Sequence, residues 1–330
     1  MQARMQTTAN TLTRDGVVES FWAEVTSCWG TFPSKGLFLG LLCAWLLLFQ
    51  FLGNGTFGYI DTPSLFDWLW VAHTNANVES EQGPGFLAPF LVLALFWLKR
   101  KELVALEKQV WPGGMALLGA ALLLHVFAYL VQQPKLSILA FLTGIYGIMG
   151  VAWGPRWLKA SFFPFFLFLF IVPLQGLGTV ITFPLRVLVT AIVEFISRYV
   201  LGLDVIRVGT GLFDASQTYQ YDVAPACSGL RSLTAIFFLA TVYGYALFRA
   251  SWRWMAMLLA SFPLAVFGNA VRLLLIVLTA DLFGKSAGDW VHENMVVSLL
   301  PYVPVIVGLV YLGRRLDASA RKTSSLEAGV

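Results

Sequence analysis

The sequence predicts an all-α polytopic membrane protein, with about eight transmembrane helices, one interfacial amphipathic helix and a short extracytoplasmic β-hairpin. Three observations lead there. Hydrophobic residues make up 58% of the 330-residue chain and charged residues 12%, with a mean hydropathy of +0.74. A soluble domain carries about 25% charged residues. The apolar residues fall in long blocks and do not alternate, so lipid is the solvent for most of the chain. The net charge of +4 comes mostly from Lys and Arg near block ends. That is where topology anchors sit, and it is no nucleic-acid patch.

Residues 1–34 read as a cytoplasmic tail, without the apolar core or cleavage site of a signal peptide. Gly36–Leu52 is the first span. The loop 53–85, rich in Gly, Asn, Thr, Ser and Glu, follows on the outer side. Phe86–Leu98 spans next and ends in Lys99-Arg100-Lys101. The positive-inside rule puts that triplet in the cytoplasm, and this one assignment orients the rest. Gly113–Val131 runs outward, Gln132-Gln133-Pro134-Lys135 turns, and Leu136–Trp153 returns to the basic inner loop Gly154–Lys159. Ser161–Leu174, dense in phenylalanine, goes out again.

The segment 176–201 is long enough to span but carries Arg186, Glu194 and Arg198. If it spanned, the basic turn Arg249–Arg253 would fall outside. If it lies flat in the outer interface, the charge rule holds. The three charges, spaced by eight and four residues, are expected near one helical face. Asp204–Gly209 and Tyr219–Val223 alternate polar and apolar residues and are expected to pair as the hairpin. Gly229–Phe248, Trp252–Thr279 and Asn294–Leu312 complete the spans, and the basic tail after Gly313 lies inside. The domain organisation is then a tail (1–34), an N-terminal transmembrane region (35–160), a catalytic transmembrane region (161–313) containing the extracytoplasmic segment 175–226, and a basic tail (314–330).

One turn carries distinctive chemistry: Ala226-Cys227-Ser228-Gly229-Leu230-Arg231-Ser232-Leu233, where a polar approach meets an apolar helix. Two later pieces answer it, Gly268-Asn269-Ala270-Val271-Arg272 and Asp289-Trp290-Val291-His292-Glu293. At about 1.5 Å per residue and a hydrocarbon core of about 30 Å, Cys227, Arg272 and His292 all reach the outer membrane face. A thiol must become a thiolate to attack a carbonyl. A helix starting at about Ser228 places its positive end beside Cys227. His292 is suited to take the thiol proton and deliver one to a leaving amine. Arg272 is suited to a developing oxyanion or a substrate carboxylate. Asn269 precedes Arg272 by three residues and points the same way, and Arg231 follows Cys227 by four. Asp222 and Glu293 are candidates to orient His292.

Taken singly, these residues have plainer readings. A lone cysteine in a membrane helix is usually a small packing residue, as Cys28 and Cys43 are expected to be. A lone outer histidine is usually solvated, and an arginine near a helix end often snorkels. Arg272, with more helix beyond it and Asn269 beside it, is an intramembrane polar pair, which marks function more often than packing. Three cysteines give no disulfide framework, no metal-ligand spacing is present, and no cofactor is implied.

The ordered set of Ala226–Leu233, Asn269-Ala270-Val271-Arg272-Leu273 and His292 resembles the exosortase/archaeosortase family, over roughly residues 160–312. Those are polytopic membrane proteins proposed to be Cys-Arg-His transpeptidases. The resemblance implies Cys227 as nucleophile, Arg272 as the essential arginine and His292 as base. It implies substrates that are secreted proteins ending in a short motif such as Pro-Glu-Pro, a transmembrane helix and a basic cluster. It also implies transfer to an acceptor, often alongside exopolysaccharide production, at the outer face of the cytoplasmic membrane. Lipid is the surrounding partner and a lipid or exopolysaccharide a possible acceptor, with no nucleic acid involved. Many members carry a His-Gly-Pro-like segment before the second helix; here it reads Ser80-Glu81-Gln82-Gly83-Pro84. Two further function classes stand beside the transpeptidase. A non-enzymatic transporter or exopolysaccharide assembly factor suits the Gly-rich spans but lacks paired broken helices and mid-depth acids. A thiol redox protein lacks a resolving cysteine near Cys227.

Overall fold

The computed structural model of the protein describes residues 14–54, 62–74, 84–173, 178–214, 220–222, 230–248 and 252–327. In chain order these form α1 (Arg14–Gly30), α2 (Lys35–Phe51), α3 (Leu65–Thr74), a 3-10 turn (Pro84–Leu87), α4 (Ala88–Leu98), α5 (Arg100–Ala105), α6 (Gly113–Leu130), α7 (Pro134–Trp153), α8 (Pro155–Phe166) and a second 3-10 turn (Leu167–Ile171). Then come α9 (Gly178–Tyr199), β1 (Val205–Val208), β2 (Gly211–Asp214), β3 (Gln220–Asp222), α10 (Leu230–Phe248), α11 (Trp252–Phe283), α12 (Lys285–Glu293), α13 (Met295–Leu299) and α14 (Tyr302–Glu327). The chain divides into two compact units, Met1–Ala72 with Gly85–Val172, and His73–Pro84 with Pro173–Val330.

In the N-terminal unit, α6 and α7 pack closely because glycines remove side chains where the backbones meet. A Cβ on Gly114 would run into the Val151 amide nitrogen, and one on Gly147 would stand 3.0 Å from the Leu118 amide nitrogen. Small-residue contacts of this kind suit membrane helices, where dispersion and not water exclusion drives packing. Trp45 donates from Nε1 to the Phe141 carbonyl at 3.0 Å and anchors a core with Phe49, Leu65, Trp68, Ala121 and Ile138. His125 is buried in this core. Its ring lies 3.2 Å from Ser137 Oγ, 3.0 Å from the Leu52 carbonyl and 4.4 Å from the Phe49 ring centre. Local packing thus accounts for that histidine. Arg100 pairs with Glu24 at 2.7 Å and covers the Trp97 ring, while Lys99 donates to the Ala160 carbonyl, so this basic triplet is built into the fold. Cys28 is half-buried, whereas Cys43 is exposed and is not the packing residue expected.

By length and composition, three described helices can cross a membrane: Gly113–Leu130, Pro134–Trp153 and Trp252–Phe283. A fourth arises if Phe21–Gly30 and Lys35–Phe51, bent by 101°, count as one span. The other apolar blocks among the expected eight are short or interrupted. Ala88–Leu98 is short, Ser161–Leu174 divides into the end of α8 and a 3-10 turn, and Asn294–Leu312 breaks before Tyr302 at Pro301.

In the C-terminal unit, α11 is the central helix, with α9, α10, α12 and α14 packed on it. The segment between α9 and α10 differs from the two-stranded hairpin expected. It is a three-stranded antiparallel sheet ordered β1-β2-β3, with Gly211–Asp214 between the two predicted arms. The reason is local. Gly209, at φ +64°, makes a two-residue turn with Thr210 that folds β2 straight back on β1.

The close approach in the α6–α7 pair generates the first prediction. Gly114→Ala is expected to destabilise the protein by about 1–3 kcal/mol through overpacking. Gly119→Ala, on the same helix with open space at its Cβ, is expected to be neutral or stabilising. Thermal unfolding of the two variants in detergent measures the contrast.

Candidate functional site

Arg272 lies about 30 Å along α11 from Trp252 at an α-helical rise. It is half-buried, and its Nε is buried with no hydrogen-bond acceptor among the described residues. Asn269, one turn earlier, is 4% exposed. The helix around them is surrounded on several sides. Ala270, Leu273 and Val277 pack with Val189 and Val193 of α9, Val205 of β1 and Leu212 of β2. Gly268 admits α14, since a Cβ there would stand 2.8 Å from Val305 Cγ2 and 3.0 Å from the Tyr302 ring. The sheet, α9 and α14 therefore converge on the turn of α11 that carries Asn269 and Arg272.

Helix α10 comes to the same level by its own packing. It runs antiparallel to α11, with Gly244 against Met257 and Trp254, and Leu233 in one cluster with Ala265. Counting back along α10 and forward along α11 by equal steps brings Leu230 level with about Val271. Cys227 is three residues before Leu230 but lies outside the described residues, as do the side chains of Asp222 and Arg231. The backbone of Asp222 ends β3 opposite Gly211, so the chain leaves the sheet there and resumes as α10.

His292 is the penultimate residue of α12 and is half-buried; Glu293 beside it is exposed. Val291 holds this helix down by packing on Ile276 and Ala280 of α11. Ile276 is one turn beyond Arg272, which fixes the level of the His292 backbone. The chain direction after His292 is set by Asn294, whose Oδ1 accepts from the amides of Val296 and Val297, both at 3.1 Å. This is an N-cap, and it starts α13 two residues past the histidine.

On α9, Glu194 pairs with Arg198 at 3.7 Å and with Arg207 at 3.0 Å. Helical spacing places Arg186 on the stripe of Thr190, Val193 and Ser197, all fully buried. The signal of that stripe in the sequence was the small and β-branched series at Thr190, Val193 and Ser197, which marks a packing face.

Among the described residues no group of His, Cys, Asp or Glu is arranged to hold a metal ion. The Asn294 cap generates a prediction. Asn294→Ala is expected to remove about 0.5–2 kcal/mol of local stability. Hydrogen exchange should then quicken at Val296 and Val297 and leave α6 and α7 unchanged.

No curated protein and no solved structure matches the chain. A family model described as transmembrane exosortase matches residues 74–311.

Proposed function

Because the chain belongs to the transmembrane exosortase family, we propose that it is a membrane cysteine protease or transpeptidase. It removes the C-terminal sorting signal of secreted proteins and passes them to an acceptor. The reading is carried by one observation. Arg272, with its buried Nε lacking an acceptor, sits level with the start of α10 and one turn from the contact that anchors the His292 helix.

The roles follow from chemistry. His292 takes the Cys227 thiol proton, and the thiolate attacks the carbonyl carbon of the scissile peptide bond. The positive end of α10 favours the thiolate form. Arg272 donates to the oxyanion of the tetrahedral intermediate, in a low-dielectric setting where such bonds are strong. The C–N bond then breaks, His292 protonates the leaving amine, and a thioester on Cys227 remains. An acceptor amine, hydroxyl or water attacks the thioester, returning the thiol. Asn269 holds Arg272 or the peptide, Arg231, four residues after Cys227, supports the peptide, and Asp222 and Glu293 orient His292. The site opens on the outer face of the cytoplasmic membrane, with about eight crossings, both termini inside and α9 in the interface. The substrates carry a short motif such as Pro-Glu-Pro, an apolar helix and a basic tail, and the acceptor is an envelope lipid or polysaccharide.

Co-expression with a tagged protein bearing such a tail tests the chemistry. Cys227→Ala and Arg272→Ala are expected to abolish processing, a loss of at least about a thousandfold. Unchanged processing in either variant ends this account. Orientation is tested separately. In a Cys28→Ser/Cys43→Ser background, a membrane-impermeant maleimide should label Cys227 from outside intact spheroplasts; labelling from the cytosolic side alone reverses the topology.

A further inference from the structure

We propose that the Asn269 side chain hydrogen-bonds the main chain of the bound polypeptide just after the scissile bond, which makes an unwound backbone at that point the feature the site recognises. This inference rests on the transpeptidase reading above and adds to it what the site requires of its substrate.

One stripe of α11 carries Ala265, Asn269, Arg272 and Ile276, spaced by four, three and four residues. At the Trp252 end of that stripe α10 covers it, since Leu233 and Ile236 pack with Ala265. At the far end α12 covers it, since Val291 packs on Ile276. On one flank Ala270 and Leu273 meet α9 and the sheet, and on the other Gly268 admits α14. Asn269 and Arg272 therefore face the interval between the start of α10 and α12. The first of those helices begins three residues after Cys227, and the second carries His292.

Asn269 is 4% exposed, yet among the described residues its side chain makes no hydrogen bond, to Arg272 or to any other group. A primary amide has two donor hydrogens and an acceptor oxygen. Burying one without partners is unfavourable, and an apolar side chain at the same place would avoid that cost. A peptide chain offers the matching set, a carbonyl for the amide N–H and an N–H for the amide oxygen. Inside a helix both groups are bonded internally, so an unwound stretch is what can offer both.

The levels give the place. Asn269 lies nearer Trp252 than Arg272 does, by about 4.5 Å along the axis. In the reading above, Arg272 donates to the carbonyl oxygen under attack. In the proposed orientation the Trp252 side holds the C-terminal, membrane-bound part of the substrate. An extended chain advances about 3.3 Å per residue, so Asn269 meets the first or second residue after the cleaved bond.

The test uses the full-length protein in nanodiscs and sorting-tail peptides of one sequence. One peptide is all amide. Two others carry an ester in place of the first or the second peptide bond after the cleaved one, which removes an N–H and weakens a carbonyl acceptor. The wild type is expected to lose at least about fivefold in kcat/KM on one of the two esters. Asn269→Leu is expected to lose about as much on the amide peptide, and no more than about a further twofold on that ester, the non-additivity of a direct contact. Its thermal midpoint should equal or exceed that of the wild type, because an apolar group replaces an unpartnered polar one. Asn269→Ala, measured beside it, should show the same indifference to the ester. A wild type indifferent to both esters, or variants that keep its sensitivity, overturn the proposal. So does a lowered midpoint with equal proportional losses on every peptide, which marks a structural role. If Cys227→Ala cleaves the amide peptide as well as the wild type, the transpeptidase reading itself falls and takes this inference with it.

Discussion

Close approach to one long helix is the constraint on which the C-terminal unit depends. Helix α11 runs through 32 residues, and the middle of its buried side is built from Ser261, Ala265, Gly268, Asn269 and Ala270. Side chains that small let neighbouring helices sit near its backbone. Tyr302 and Val305 of α14 fill the notch at Gly268, and α10 lies against Met257 through Gly244. In lipid, where apolar surface gains little by leaving its solvent, such dense contact is the main source of helix association. The polar residues of the site share a helix with this packing surface. Their positions are therefore set by the most closely packed part of the unit.

Two polar residues within helices differ in how packing treats them. His125 has a partner on each ring nitrogen and an aromatic ring against its face, all within one core. Nothing about it is left over. Arg272 has a buried Nε with no acceptor among the described residues. A buried donor left open is costly.

The three-stranded sheet is held against the helices of its unit. Val205 and Leu212 face inward onto α9 and α11, and Arg207 on the same face reaches Glu194. These contacts tie the sheet to α9, and β3, its last strand, hands the chain on towards α10. An ion pair at such a rim adds little stability by itself, but it selects one register of sheet against helix. That register decides where the chain departs at Asp222.

Much of this was legible in the residues. Block composition set the lipid environment, and the order of Cys227, Arg272 and His292 carried the family to which the chain belongs. These are local or ordinal signals, and a linear chain records them directly. The number of unaided spans was less legible, because length in apolar residues does not report a break such as the one before Tyr302. The middle strand at Gly211–Asp214 escaped notice because its alternation is too short to stand out until β1 and β3 flank it. The packing of Thr190, Val193 and Ser197 as the buried stripe of α9 was likewise decided only in three dimensions. Helical spacing relates a residue to its own helix, but which stripe meets another helix depends on where that other helix lies.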